Sequence, residues 1–273
     1  MSQTLIPNPN PNPRLLVTGV VLNYRSPKDT VRCIEALKKQ TIAERMNIIV
    51  VDNHSEDESS GWFRARYGKD SSVRCIEERK NVGYGRGNNA ALPFLESEFV
   101  LIINPDNVLP PDGIERMLAV LERRTDAGIV GPALVYPDGG IRPSARRFPN
   151  ILDLCKKRLF PAAWQKKYEE WMNTIRLENE VEVDWLVGAC LLLRTDLLRS
   201  LGGFDRRFFL FFEDIDLCRR IRLLGKRVLY LPNIHVLDRK NRLSGSSALS
   251  LLFRKMTWIH ARSAMQYFWK WRA

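Results

Sequence analysis

The sequence has few cysteines and no long apolar run, and these absences exclude several classes of protein. Its five cysteines are scattered without a Cys-x-x-Cys pair, which argues against a disulfide framework or a zinc site and favours a reducing cytoplasm. The longest apolar run, residues 186–193, is too short to cross a bilayer. Residues 1–14 contain no apolar segment typical of a signal peptide and are expected to form a flexible Pro/Asn-rich leader.

The positive charge is concentrated in one part of the chain. The formal net charge is +12, and residues 219–273 hold 13 lysines and arginines against a single acid, Asp238. The remaining residues carry equal numbers of positive and negative side chains. A localised basic surface indicates an anionic partner, such as phospholipid, a phosphorylated substrate or nucleic acid.

Strand and helix patterns alternate through the first half of the chain. Apolar, β-rich runs predict four buried strands, each followed by a helical pattern, and this alternation is typical of a parallel sheet covered on both faces. The predicted strands are 15–23, 47–51, 73–76 and 99–103, and the predicted helices begin at Ser26 or cover 58–67, 87–95 and 110–123.

The alternation stops after a further predicted strand at 128–135. Residues 141–180 are basic, aromatic and mostly helical in pattern. We interpret them as an insertion that shapes the pocket of a second substrate, and simple packing is the alternative. A pair of strands, broken at Gly188 and Ala189, is predicted over 181–193.

Polar residues follow each of the four predicted parallel strands. The carboxyl ends of parallel strands meet at one edge of the sheet, where open α/β folds bind ligands, so these residues predict a binding site. The four polar segments are Asn23-Tyr24, residues 52–57 from Asp52-Asn53 onward, residues 81–88 and Asn104-Pro105-Asp106.

Two of these segments suit a nucleotide. Asp52 and Asn53 offer acceptors for the N–H and O–H groups of a base or ribose, and an Asx-rich turn is the alternative. Residues 81–88 carry three alternating glycines before a helix, which would let backbone amides approach a phosphate, with Arg86 as a counter-charge. This spacing is not the dinucleotide fingerprint G-x-G-x-x-G, which disfavours a dehydrogenase.

Asp106 follows a fully apolar strand, where a carboxylate can hold a divalent cation against a diphosphate. Mg²⁺ takes only one or two protein carboxylates and completes its coordination with phosphate oxygens and water. A Pro-Asp-Asn turn is the alternative interpretation. His235 is a further candidate ligand.

The segment 207–220 joins an apolar run directly to three acids, Glu213, Asp214 and Asp216. Ionised acids beside a core carry a desolvation cost unless a cation, a metal or a substrate hydroxyl offsets it, which suggests a catalytic role. A sugar nucleotide held by a metal is a candidate ligand for the predicted site. A carboxylate here could take the proton of an acceptor hydroxyl that displaces the diphosphate at the anomeric carbon of that sugar. The alternative is that the acids open the helix predicted to begin near Ile215.

Six motifs in this order resemble the family-2 glycosyltransferases, especially the bacterial rhamnosyltransferase-like branch. The resemblance covers a domain of about residues 15–245, followed by a basic, aromatic helical extension at 246–273. It implies a GT-A fold, with a mostly parallel nucleotide-binding sheet flanked by helices. The motifs are Asn23-Tyr24, Asp52-Asn53-x-Ser55-x-Asp57, Asn81-x-Gly83-Tyr84-Gly85-x-Gly87-Asn88, Asn104-Pro105-Asp106, Trp185-x-x-Gly188-Ala189 and Phe212-Glu213-Asp214-x-Asp216-Leu217-x-x-Arg220.

The resemblance also implies a reaction and assigns roles to residues. A sugar would move with inversion from dTDP-rhamnose or a UDP-sugar to a glycan or polyprenyl-diphosphate-linked acceptor, with Mg²⁺ or Mn²⁺ as cofactor. Asp52 would contact the base, and Asp214, with Glu213 beside it, would be the general base. The predicted donor site is Asn23, Tyr24, Asp52, Asn53, Asn81, Gly83, Arg86, Asn88 and Asn104; the predicted pocket is Trp185, Gly188 and Ala189; the predicted metal ligands are Asp106 and His235.

Two features depart from the family's pattern, and two other functions are alternatives. The Asp-x-Asp motif of many GT-A enzymes appears here as Asn104-Pro105-Asp106. The family's His followed shortly by Gly and Ser is stretched here, because a basic insert separates His235 from Ser244-Gly245-Ser246. A sugar-phosphate nucleotidyltransferase would need a Gly-rich basic loop after the first strand, which residues 23–27 do not provide. A basic nucleic-acid-binding module would explain the tail but not Asp106 or the acids near 214.

The tail, residues 251–271, mixes six aromatic residues with lysines and arginines. This composition suits a bilayer interface, and it predicts peripheral contact with an anionic membrane at the inner face of the cytoplasmic membrane. No nucleic-acid partner is expected. A helix that packs on the domain or mediates oligomerisation is the alternative.

Overall fold

The computed structural model describes residues 15–150, 161–175, 179–239 and 248–272, with side chains of the last segment described from Met256 onward. The predicted leader and Ser244-Gly245-Ser246 lie outside these residues. A central sheet is packed between two layers of helices. Within the described part of the chain, none of the helices combines the length and the apolar character that crossing a membrane requires.

The secondary structure consists of the following elements. The helices are α1 (Pro27–Leu37), α2 (Ser59–Tyr67), α3 (Tyr84–Asn89), α4 (Gly113–Arg123), α5 (Pro161–Ile175), α6 (Thr195–Ser200), α7 (Glu213–Leu223) and α8 (Ala248–Lys270), with short 3₁₀ helices at Ala43–Arg45 and Leu92–Phe94. The strands are β1 (Val17–Asn23), β2 (Met46–Asp52), β3 (Val73–Glu77), β4 (Phe99–Ile103), β5 (Asn107–Val108), β6 (Ala127–Val135), β7 (Ile141–Arg142), β8 (Ala145–Arg146), β9 (Val181–Val183), β10 (Trp185–Leu186), β11 (Cys190–Arg194) and β12 (Arg227–Asp238).

The sheet places several carboxyl strand ends on one edge. Its order is β3-β2-β1-β4-β11-β6-β12-β5, and β1 to β4 form the predicted parallel unit. β11 is antiparallel to both β4 and β6, and β6 is parallel to β12. Because two antiparallel steps restore the original direction, β6 and β12 run the same way as β1 to β4. The carboxyl end of β12 therefore lies on the edge where the polar segments were predicted to meet.

Alternate residues of the central strands enter two apolar clusters, one on each face of the sheet. In β1, Val17 and Val21 pack with residues of α1, α2 and α4, whereas Val20 and Leu22 pack with residues of α5, α6 and α7. Every residue of β1 is buried, as expected for a strand covered on both sides.

Three predicted elements differ from the structure. The predicted helix 87–95 is divided into α3 and a 3₁₀ helix that contains Pro93, whose missing N–H and ring do not fit a helix interior. The predicted strand pair at 181–193 is three strands, of which β9 pairs with β12, β10 with β8, and β11 with β4 and β6. The helix expected near Ile215 begins at Glu213.

Candidate active site

The carboxylate of Asp214 lies beside the carboxyl end of β4. The N–H of Gly188 donates to Oδ2 of Asp214 at 2.9 Å, and the hydroxyl of Tyr84 donates to the carbonyl oxygen of Gly188. The next carbonyl, that of Ala189, accepts a hydrogen bond from the N–H of Asn104 at 2.8 Å. Three segments that are distant in sequence therefore meet at the turn between β10 and β11.

The backbone that leads into α7 is strained. Phe211 and Phe212 both have a φ of 70°, a left-handed conformation that bulky residues rarely adopt. Phe208 and Phe212 of the apolar run are buried, whereas Phe209 is 41% exposed. The turn places Glu213 and Asp214 in the first turn of α7, where the helix dipole favours negative charge.

Hydrogen bonds and a nearby cation, rather than burial alone, separate the roles of the two acids. Glu213 is 4% exposed, and its Oε2 has no hydrogen-bond partner among the described residues. Desolvation, and then the charge of Asp214, raise the pKa of Glu213 well above its ordinary value. Desolvation also raises the pKa of Asp214, but the N–H of Gly188 and the guanidinium of Arg146 act in the opposite direction. Glu213 therefore retains its proton more readily, and Asp214 is the better proton acceptor.

Arg146 is a site candidate that the motifs did not reveal. It pairs with Trp185 across β8 and β10, and its guanidinium carbon lies 5.2 Å from the centre of the indole ring. The indole N–H of Trp185 donates to the carbonyl oxygen of Arg147 at 2.8 Å, which fixes the ring. The indole ring of Trp185 thus packs against the guanidinium of Arg146, whose positive charge acts to lower the pKa of Asp214. The only signal in the sequence was the basic character of the segment after residue 141.

A hydrogen-bond network fixes the carboxylate of Asp52 at the end of β2. Nδ2 of Asn23 donates to Oδ1 of Asp52 at 2.6 Å and to the hydroxyl of Ser55 at 2.9 Å. The hydroxyl and N–H of Ser55 both donate to Asp52. Oδ1 of Asn23 accepts from the hydroxyl of Thr30 at 2.8 Å. Since the side chain of Asn23 is buried and used in this network, we expect it to act on a nucleotide through Asp52.

A second network connects β2 to residues 207–220, which we call the acid segment. Nδ2 of Asn53 donates to Oδ1 of Asn81 at 3.0 Å and to the carbonyl oxygen of Gly83 at 3.3 Å. The N–H of Tyr84 then donates to the carbonyl oxygen of Phe209 at 2.8 Å. Gly83 has a φ of 88°, and a Cβ at this position would lie 2.0 Å from the same carbonyl oxygen. Only glycine permits this approach between the predicted nucleotide side and the acid segment.

Replacing Gly83 by alanine should lower the free energy of unfolding by about 1–3 kcal/mol, because the positive φ and the clash with Phe209 act together. Urea denaturation measures this loss. Gly61→Ala is the matched control, since a Cβ on Gly61 in α2 meets nothing within 4 Å. We expect that variant to be as stable as the parent or more stable by up to ~1 kcal/mol. Equal stability of the two variants would contradict the proposed contact.

Gly85 and Gly87 lie in a helix and have a packing role, whereas the sequence predicted a loop at these positions. α3 begins at Tyr84, so both glycines lie inside the helix rather than in a loop before it. A Cβ on Gly85 would lie 2.9 Å from Phe204, and one on Gly87 would lie 2.5 Å from Leu22. The small residues therefore allow α3 to approach β1 and the acid segment closely.

The other predicted donor residues surround these networks. The side chain of Tyr24 is 43% exposed. Nδ2 of Asn88 donates to the carbonyl oxygen of Tyr84 at 3.0 Å, and its Oδ1 has no hydrogen-bond partner among the described residues. Arg86 is exposed, and its Nε donates to the carbonyl oxygen of Arg206 at 2.7 Å. Contacts of these residues with a nucleotide stay predictions.

The carboxyl end of β12 brings a second carboxylate to Asp106. Asp238 pairs with Asn107 across β12 and β5, and the N–H of Arg239 donates to the carbonyl oxygen of Asp106 at 3.0 Å. Asp238 is buried and forms an ion pair with Arg142 at 2.6 Å. Desolvation, and then the charge of Asp238, raise the pKa of Asp106 to about 6. A cation between the two carboxylates would relieve this repulsion.

These two carboxylates suit a divalent cation that also binds phosphate. No cluster of three or more His, Cys, Asp or Glu side chains that could hold a metal occurs in the described ranges. Mg²⁺ requires only one or two protein carboxylates when phosphate and water complete its coordination, so the pair fits. His235 is exposed and, by strand alternation, faces the opposite side of β12 from Asp238. The role of His235 stays a prediction, and this geometry favours Asp238 in its place.

The sheet, with acids at its carboxyl edge, is that of a GT-A glycosyltransferase. A solved structure of mannosyltransferase PcManGT from Pyrobaculum calidifontis, in complex with GDP-Man and Mn²⁺, superposes with a TM-score of 0.62 at 18% identity. The superposition covers 87% of this chain and 60% of that one. The model of the family described as "Glycosyltransferase like family 2" matches residues 13–258, so the chain belongs to glycosyltransferase family 2. The predicted family, fold and enzyme class are confirmed.

Two relatives are rhamnosyltransferases. The N-acetylglucosaminyl-diphospho-decaprenol L-rhamnosyltransferase of Mycobacterium tuberculosis is 29% identical over 243 residues, covering 82% of this chain and 77% of that protein. Rhamnosyltransferase WbbL of Escherichia coli K12 is 26% identical over 195 residues, covering 68% of this chain and 69% of that protein. The predicted rhamnosyltransferase-like resemblance is confirmed.

Proposed function

We propose that this chain transfers a sugar, with inversion at the anomeric carbon, from a nucleoside-diphosphate sugar to an acceptor hydroxyl. The observation that carries the proposal is the position of Asp214, which the N–H of Gly188 holds beside Asn104 at the sheet edge. This edge is where a donor would bind, and Asp106 with Asp238 lies on the same edge. The donor complex of PcManGT supports a nucleotide sugar as the substrate class.

In the proposed reaction, Asp214 accepts the proton of the acceptor hydroxyl while the hydroxyl oxygen attacks the anomeric carbon. The bond from that carbon to the diphosphate breaks, and attack from the opposite face inverts the configuration. Arg146 favours the ionised form of Asp214, and the protonated Glu213 can donate a hydrogen bond within the pocket. Mg²⁺ or Mn²⁺ held by Asp106 and Asp238 would stabilise the negative charge of the departing diphosphate.

The relatives suggest more specific substrates. The name of the mycobacterial relative describes transfer of L-rhamnose to a diphospho-decaprenol-linked sugar. We therefore propose dTDP-rhamnose, or otherwise a UDP-sugar, as the donor and a polyprenyl-diphosphate-linked glycan as the acceptor. Such an acceptor would bring the protein to the inner face of the cytoplasmic membrane. The Pro27 start of α1, in place of a Gly-rich basic loop, disfavours a nucleotidyltransferase.

Calorimetric titration with dTDP, UDP and GDP, each with and without Mn²⁺, tests the donor site. We expect one nucleoside diphosphate to bind, more tightly with Mn²⁺, and its sugar to be transferred to a synthetic polyprenyl-diphosphate sugar. Exchanging both Asp106 and Asp238 for asparagine should remove the effect of Mn²⁺ while weaker nucleotide binding persists. Failure to bind any nucleotide, together with binding of single-stranded RNA, would overturn the proposal in favour of a nucleic-acid-binding module.

A further inference from the structure

Helix α8 has an inner face that packs on the acid segment. The hydroxyl of Ser263 donates to the carbonyl oxygen of Leu210 at 2.8 Å. Tyr267 is fully buried, with its ring centre 5.3 Å from that of Phe212. Nζ of Lys270 lies 2.6 Å from Oδ1 of Asp216. The predicted alternative, a tail helix that packs on the domain, is thus correct for this face.

The opposite face of α8 presents large apolar side chains to solvent. Trp258 is 75% exposed, Met265 64% and Trp269 62%, and Arg262 and Arg272 are also exposed. With 3.6 residues and a 5.4 Å rise per turn, the four of these residues that lie in α8 fall within roughly 60° of arc and extend over about 17 Å, and Arg272 follows two residues after the end of the helix. We call these five residues the outer stripe. Because these residues are separated from the inner face, the mixed composition of the tail forms a defined surface on the helix.

The composition of the outer stripe indicates which class of partner it binds, namely a lipid membrane. Tryptophan is enriched at bilayer interfaces, and arginine can bury its stem while its guanidinium reaches phosphate groups. The sequence contains no acidic residue after Asp238, so the surroundings of the stripe add no negative charge from this part of the chain. An exposed apolar surface that also carries positive charge can bind the headgroup region of an anionic membrane.

The same charges disfavour a second copy of the chain as the occupant. In a two-fold symmetric contact, one stripe would face another stripe of identical composition. Such a contact would bury four arginines, two from each copy, with no acid inside either stripe to pair with them. Like charges that face each other in an interface are destabilising.

We propose that the outer stripe is the surface by which this protein docks on an anionic lipid bilayer. This proposal adds a membrane-binding surface to the proposed function. It rests on the proposed function only in that a lipid-linked acceptor gives a reason for membrane binding. Two tryptophans would enter the interface while Arg262 and Arg272 contact lipid phosphates. The inner face would meanwhile stay on the acid segment, so docking requires no rearrangement of the contacts made by Tyr267 and Lys270.

Vesicle flotation tests this surface, with pure phosphatidylcholine compared against phosphatidylcholine mixed with phosphatidylglycerol. We expect the full chain to bind the anionic vesicles more tightly, and added salt to weaken that binding. Arg262→Gln with Arg272→Gln should lower affinity for anionic vesicles by about 25-fold, or about five-fold per charge. Trp258→Ala with Trp269→Ala should weaken binding to both kinds of vesicle.

Trp62→Ala is the matched control, because Trp62 is 42% exposed but lies on α2. We expect it to bind vesicles as the parent does. Calorimetric titration with the nucleoside diphosphate should give the parental affinity for every variant, which separates failure of docking from failure of the donor site. The proposal is overturned if the parent does not bind anionic vesicles. It is also overturned if the double variant Trp258→Ala with Trp269→Ala binds them as tightly as Trp62→Ala does. A dimer in sedimentation equilibrium that the double tryptophan variant converts to monomer would also overturn it.

Discussion

Asp214→Asn should lower kcat by about 10²- to 10⁴-fold and leave the affinity for the nucleotide donor unchanged. An amide cannot accept the proton of the acceptor hydroxyl. Its oxygen can still accept the hydrogen bond from the N–H of Gly188, which is 2.9 Å from Oδ2 in the parent, so the segment keeps its position. Steady-state transfer assays measure kcat, and calorimetric titration measures donor affinity.

Asp196→Asn serves as the control, because this exposed acid lies on α6, outside the hydrogen-bond networks of the site. We expect full activity from it. Since burial raises the pKa of Asp214, the acid limb of the parental kcat profile should lie above the ordinary aspartate range, with activity lost as pH falls through it. Full transfer by Asp214→Asn would disprove the assignment of the general base.

Asp216→Asn should lower the free energy of unfolding by about 3–5 kcal/mol. The side chain of Asp216 is fully buried, and it accepts from Nε of Arg220 at 2.8 Å, Nζ of Lys270 at 2.6 Å and Nε1 of Trp271 at 2.9 Å. Removing the negative charge takes away the ion pair of Arg220 and leaves Lys270 with Asp205 alone at 2.7 Å, and each cation is only 15% exposed. Urea denaturation followed by circular dichroism measures the loss.

Glu182→Gln is the control, because this exposed acid pairs with Arg222 and Arg227 at the surface. We expect it to change the free energy of unfolding by less than about 1 kcal/mol. Adding Lys270→Met to Asp216→Asn should cost less than the sum of the two single losses, since the ion pair between the two residues can be lost only once. Additive losses in that double variant would show that the two residues do not interact.

The sequence predicted the parallel half of the fold and its polar edge because both depend on local pattern. β1 and β2 are rich in apolar residues and end in the buried polar residues Asn23 and Asp52, so polarity changes sharply at one residue. Parallel pairing then brings those ends together without further information. The same reasoning explains why Asp52, Asp106 and Asp214 could be selected as site candidates.

The partners of β9, β10 and β11 could not be predicted. The run 181–193 is apolar enough for a buried strand pair, but periodicity does not show which strands lie alongside. Only the folded chain places β11 between β4 and β6 and thereby turns β12 toward the site edge. Asp238 was missed for this reason. Its pairing with Arg142 joins residues 96 positions apart.

The sequence suggested that Asp216 merely opens a helix, because an acid in a first turn is commonly a local feature. The structure gives it the role of a buried ion-pair centre between α7 and α8. Nothing in the local pattern near 216 indicates a lysine 54 residues later. In the sequence, the tail likewise shows only a mixed composition of aromatic and basic residues. Its inner and outer faces become distinct only when α8 packs against the acid segment.

The ion pair between Asp216 and Lys270 also sets an order of events during synthesis. Lys270 is added 54 residues after Asp216, and at roughly 5–20 residues per second this delay is about 3–11 s. Once Asp238 at the end of β12 has been added, the nascent chain contains every strand of the described sheet while Asp216 still lacks its partners from α8. The acid segment should therefore be the last part of the domain to become resistant to protease on a translating ribosome.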